Sequence, residues 1–153
     1  MTPRLNPFTA SPAAMQPWIE LGKTNQNDGL EPSLKELVKT RTSQINGCAF
    51  CLHMHTLEAR KHGETEERLY LLSAWRESTL YSDRERAALG WTDALTLVSE
   101  THAPDDAYEA LRRHFTEEEQ VKLTLLIVQT NAWNRINVGF RAVHPAEAKK
   151  KAA

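Results

Sequence analysis

The chain is expected to adopt an all-α fold, one compact domain of about six to seven helices. Three observations carry this expectation. Apolar residues recur at helical spacing along most of the chain. Helix-capping patterns punctuate it, "SDRE" at 82–85 and "TEEE" at 116–119. No convincing strand, internal repeat or glycine-rich phosphate loop interrupts the pattern. With 153 residues, 41% of them hydrophobic, the chain can bury one core and is too short to call for a second domain.

Residues 1–30 carry Pro3, Pro7, Pro12 and Pro17 and read as an N-terminal arm. Within it, "AAMQPWIEL" can form a short helix that Pro17 either kinks or begins. "NQNDG" at 25–29 is a turn. Residues 31–145 form the helical core. Its first helix starts at Pro32 and sets Leu34, Leu37, Val38 and Ile45 on one face. "ING" interrupts it, and Asn46 or Gly47 can cap a new helix starting near Cys48. That helix is expected to run to Gly63, which suits a left-handed terminator, with Lys61 and His62 in the last turn. "ETEERLYLLSAW" is a third helix. Ser82 and Glu85 open the next, whose apolar stripe is Ala87, Ala88, Trp91, Ala94, Leu95 and Val98, and "THAP" ends it. A short helix around 105–114 carries Tyr108 and Leu111. The last helix holds "LTLLIV" at 123–128, apolar nearly all round, which calls for burial at the core centre or in a subunit interface. Residues 146–153, with "KKK" at 149–151, are a charged, solvated tail.

The formal net charge is −1 and the pI about 6.6, so charge gives no case for nucleic acid or an anionic membrane as a partner. The N-terminus has no apolar run resembling the centre of a signal peptide, and no stretch is long enough to span a bilayer. A cytosolic protein is expected. In that compartment cysteines are usually reduced, catalytic or metal-bound rather than structural bridges.

"NGCAFCLHMH" at 46–55 holds both cysteines and two of the six histidines. Haem attachment needs a histidine directly after the second cysteine, and Leu52 stands there. Structural zinc needs four ligands in a tetrahedron. Cys48, Cys51, His55 and His62 fall on one stripe with His53 off it, and His62 lies ~10 Å beyond His55, so one regular helix cannot wrap an ion with them. No metal and no cofactor are expected. Redox chemistry fits better. A Cys-x-x-Cys pair in the first turn of a helix brings both sulfurs to one side, and the free N–H groups there stabilise a thiolate. His55 follows Cys51 by one helical turn and can trade a proton with its sulfur. Nearness to the helix start favours Cys48 as the more acidic sulfur, whereas nearness to the base favours Cys51. Glu36 lies opposite the Leu34–Ile45 stripe and by pattern alone reads as a solvated carboxylate. His53 reads as polar surface or interface, and His62 as a favourable charge at a helix C-terminus. His102, His114 and His144 default to structure or solvent, and Trp91 and Trp133 to packing.

"ELVKTRTSQINGCAFCLHMHTLEARKHG" resembles the AhpD-type alkylhydroperoxidase core within the carboxymuconolactone decarboxylase superfamily. The similarity continues through "RLYLLSAWRES", "SDRERAALGWTDALTLVSE" and "AWNRINVGF", over roughly residues 30–140. The shared signature is a glutamate, a Cys-x-x-Cys pair and a histidine four residues on, here Glu36, Cys48, Cys51 and His55. Decarboxylase branches lack the cysteine pair. The resemblance implies an all-helical subunit assembled as a trimer or hexamer. It implies a hydroperoxide substrate that oxidises Cys51, a disulfide closed by Cys48, and a proton relay through Glu36 and His55. It implies a thiol or dihydrolipoyl-type reductant. Phe50 stands where some relatives place a histidine between the cysteines, so the relay differs here in composition. The alternative from another class is a non-catalytic helical redox-sensing module, with a thiol–disulfide reductase acting on a partner protein as a near neighbour of the enzyme.

Overall fold

The structure, a computed structural model, describes residues 2–24 and 28–145. Among these residues there are nine α-helices and no strand: α1 (Pro7–Ala10), α2 (Pro12–Thr24), α3 (Pro32–Ile45), α4 (Ala49–Lys61), α5 (Glu66–Leu71), α6 (Asp83–Thr96), α7 (Val98–Thr101), α8 (Asp105–His114) and α9 (Glu117–Phe140). A 3-10 turn, Leu72–Ala74, extends α5. The two helices beyond the expected number are the four-residue α1 and α7. None of the described helices is long and apolar enough to cross a membrane. The tail at 146–153 and most of the "NQNDG" turn lie outside the described residues.

Local chemistry sets most boundaries. Ser82 and Thr116 each accept a hydrogen bond from the third residue of their helix, Glu85 and Glu119, whose carboxylates reach back to the cap, completing both expected boxes. Gly63 follows α4 with φ +87°, the left-handed geometry a glycine accepts without strain. Three details differ from expectation. The N-cap of α4 is Cys48, whose sulfur accepts the Cys51 N–H at 3.3 Å, while Asn46 is the C-cap of α3. Pro12 opens the arm helix and Pro17 lies inside it. Leu97 leaves the helical region at φ −101°, ψ 33°, so Val98 falls off the α6 stripe into α7 and is 50% exposed.

Helix α3 is the hub and packs against α4, α6 and α9. Its Leu34 and Val38 join Ala88, Trp91, Leu111, Leu123, Leu126 and Ile127 in the main core. Leu37 turns to a second cluster with Leu72, Trp75, Tyr81 and Leu89. The arm is fastened to α9: the Arg4 N–H donates to the Phe140 carbonyl, Arg4 Nη1 donates to Gly139, and Phe8 stacks on Trp133 with ring centroids 6.3 Å apart. Asp93 ties the second cluster to α3. It accepts from Arg41 Nε at 2.7 Å and from Trp75 Nε1 at 3.2 Å, and Arg76 pairs with it at the rim. Removing this carboxylate strands a largely buried guanidinium and an indole N–H. Asp93→Ala is expected to destabilise the protein by about 3 kcal/mol, read as a Tm lowered by roughly 6–12 °C in a thermal unfolding scan.

A candidate redox-active cysteine site

Glu36 sits on α3 and His55 on α4, and the two helices pack face to face. This packing buries Glu36 to 7% exposure and overturns the solvated-carboxylate reading of its pattern. His55 Nδ1 lies 3.0 Å from Glu36 Oε2, and Lys39 Nζ lies 2.7 Å from Oε1. Burial alone would raise the Glu36 carboxyl. The hydrogen bond with His55 and the adjacent Lys39 ammonium outweigh it and hold the group below its ordinary range. Glu36 is therefore a carboxylate at neutral pH and orients the His55 ring through Nδ1.

Cys48 and Cys51 are joined in a disulfide, their Cα atoms 5.3 Å apart. Cys51 and His55 line the same cavity, about 330 Å³ in volume. Phe50, Met54, Trp133 and the arm residue Phe8 give that cavity apolar walls, and Lys39 and Gln129 add polar groups. Cys48 does not line it.

Asn137 is a site residue that sequence reasoning missed. Its Nδ2 donates to Cys51 Sγ at 3.4 Å. It ends a run of asparagines three apart on α9. Asn46 Nδ2 donates to Asn131 and Asn134, each at 3.0 Å, and Asn134 donates to Ser43 at 3.1 Å. These bonds clamp α9 to the α3–α4 turn that carries the cysteines. The signal was the polar stripe Asn131, Asn134, Asn137 on a helix otherwise apolar in its middle. Other histidines stand apart. His53 stacks on His144 with centroids 5.0 Å apart, His62 is the C-cap of α4, and His102 caps α7 in the left-handed region.

The sequence profile described as the carboxymuconolactone decarboxylase family matches residues 12–94. An uncharacterized protein of Bacillus subtilis, YdfG, is 42% identical over 140 residues, which covers 92% of this chain and 95% of YdfG. The crystal structure of a protein of unknown function from Agrobacterium tumefaciens, ATU0492, whose name assigns it to AhpD-type antioxidant defence, superposes with a TM-score of 0.92 at 51% identity. That match covers 94% of this chain and 99% of ATU0492. A 43-residue stretch is 46% identical to alkyl hydroperoxide reductase AhpD of Hyphomonas neptunium, over 28% of this chain and 24% of that one. The helical fold, the cysteine pair and these likenesses agree: the chain belongs to the carboxymuconolactone decarboxylase family and is AhpD-like.

Proposed function

We propose that the chain is a thiol-dependent peroxidase reducing organic hydroperoxides, in which Cys51 meets the peroxide and Cys48 resolves it. The observation that carries this reading is the cavity that Cys51 shares with His55, whose Nδ1 is held by the buried Glu36 carboxylate. With Nδ1–H donated to Glu36, Nε2 is left to accept the Cys51 thiol proton. The Asn137 amide favours the resulting thiolate. The thiolate attacks one peroxide oxygen, the O–O bond breaks, and the alkoxide leaves as an alcohol with the proton from His55. Cys51 is then a sulfenic acid. Cys48 attacks its sulfur, its own thiol proton leaves with the hydroxyl as water, and the disulfide closes. A thiol or dihydrolipoyl-type donor restores the dithiol. The scheme uses no metal or organic cofactor. The apolar walls of the cavity suit an alkyl or aryl peroxide.

The test uses the reduced protein, one equivalent of an organic hydroperoxide and a sulfenic-acid trap read by mass spectrometry. Cys48→Ser is expected to hold a trappable adduct on Cys51, and Cys51→Ser to give little. An adduct confined to Cys51→Ser would reverse the roles. Thiols inert to peroxide in the unaltered protein would leave the redox-sensing module as the reading.

The relay generates a pH prediction. The Glu36 carboxyl is held below its ordinary value near 4.5 in the folded protein, so its stabilising contribution is fully present above that value. It is lost as pH falls through the lower folded value. Glu36→Gln is expected to lower Tm at pH 7, with the gap to wild type narrowing in acid below about 4.5. A gap constant across that range would mean the carboxylate charge is not what holds His55.

We also infer a cytosolic homo-oligomer, a trimer or hexamer. Val121, Leu125 and Val128 follow one another on a face of α9, each more than half exposed, with the exposed Tyr108 of α8 beside Val121 and Leu125. Light scattering at micromolar concentration is expected to return a multiple of the 17.4 kDa chain mass, and Leu125→Lys to reduce it. A mass of one chain in the unaltered protein would remove the assembly.

A further inference from the structure

Cys48 and Cys51 are each 1% exposed, so a reagent reaches either sulfur through a cavity. The two cysteines line different ones. Cys51 lines the apolar cavity described above, and Cys48 lines a second, about 300 Å³, that shares Phe50 and Asn137 with the first. The second cavity has a different character. Arg4 from the arm and Arg141 from the end of α9 line it, together with Gly47 and Cys48, and among the described residues no carboxylate does. Arg4 is anchored through Nη1 to the Gly139 carbonyl, and neither arginine is in an ion pair with a described residue. Arg141 terminates α9 at φ 55°, a left-handed position that ordinarily falls to glycine. The end of α9 thus sets Arg141 on the lining of this cavity.

We propose that this second cavity admits the reductant, and that the reductant is a small thiol or dithiol carrying a carboxylate, which Arg4 and Arg141 receive. The inference rests on the reading of Cys48 and Cys51 as a redox-active pair. Peroxide and reductant then approach the same disulfide through different cavities. The donor thiolate attacks Cys48 Sγ, the S–S bond breaks, and Cys51 leaves as a thiolate that accepts the Asn137 N–H. In the resulting mixed disulfide, the second thiolate of a dithiol donor attacks the donor's own bridging sulfur and releases Cys48. Two electrons pass from donor to protein, the donor leaves as its cyclic disulfide, and its two thiol protons end on Cys48 and Cys51.

The experiment uses full-length protein oxidised with diamide, so the reduction step is measured without peroxide. Rates of disulfide reduction are compared for dihydrolipoate and dihydrolipoamide, which share the same dithiol and differ in the carboxylate. The rate constant for dihydrolipoate is expected to be larger by about five- to tenfold at low salt. The ratio is expected to fall toward one in Arg4→Gln/Arg141→Gln and, in unaltered protein, in 0.5 M sodium chloride. Equal rates for the two donors in unaltered protein at low salt, or a ratio that survives both salt and the double substitution, would overturn the proposal. The salt series decides the matter should the double variant fail to fold. A preserved donor preference in a protein whose dithiol ignores hydroperoxide would sink the peroxidase reading alone. Hydroperoxide oxidation with no donor preference would sink the reductant site alone.

Discussion

Helix α3 is covered by α4, α6 and α9, and most of its buried polar side chains find partners inside the protein. Lys35 pairs with Asp28 at 2.9 Å, Ser43 donates to the Lys39 carbonyl and receives Asn134, and Thr42 donates to the Val38 carbonyl. Glu36 is the member of this set that reaches His55 on α4. Its carboxylate stays ionised in a buried place because His55 and Lys39 both reach it. The contact that joins α3 to α4 is thus the one that holds His55, the base of the proposed relay. If α4 slid by a turn, the buried Glu36 carboxylate would lose His55 and keep only Lys39 of its own helix.

The same helix fixes where the cysteines lie. The α3–α4 turn is held by Asn46, which reaches the amide oxygens of Asn131 and Asn134, and one turn further along α9 Asn137 meets Cys51. The pair therefore sits at the junction of three helices, with a cavity beside each cysteine. A disulfide in such a junction has two distinct ends. One opens beside His55 and apolar walls, the other beside two arginines. Under the proposed chemistry, peroxide and reductant would then not compete for one mouth.

Much of this fold was legible in the sequence because helix caps are local. Ser82 with Glu85 and Thr116 with Glu119 act over a single turn, and so does Gly63. The misreadings share a cause. By pattern alone Glu36 reads as solvated, because the pattern of α3 shows one apolar stripe, whereas its other faces are covered by helices distant in the chain. Resemblance to a family supplied what periodicity could not. Asn137 went unread because its partner is 86 residues away and an asparagine on a helix signals nothing by itself. The arm showed its prolines but not its destination, since the stacking of Phe8 on Trp133 joins opposite ends of the chain.

The two sulfurs differ in what surrounds them, and the proposed roles of Cys51 and Cys48 rest on that difference. Position at the helix start argues for Cys48, position near the histidine for Cys51. If N–H donors alone set thiolate stability, the two would be nearly matched. Cys48 Sγ receives the Cys51 backbone N–H at 3.3 Å, and Cys51 Sγ receives Asn137 at 3.4 Å. What separates them is access to a base. Cys51 opens on the cavity that His55 lines, and Cys48 opens on one lined by two permanent cations that cannot take up a proton. Peroxide reduction consumes a proton at the leaving alkoxide, which a neutral histidine charged by the thiol can return. Disulfide exchange at Cys48 needs only an attacking thiolate, and cations beside it help to gather an anionic donor. In the proposed scheme the proton-transfer step and the charge-gathering step therefore fall to different sulfurs.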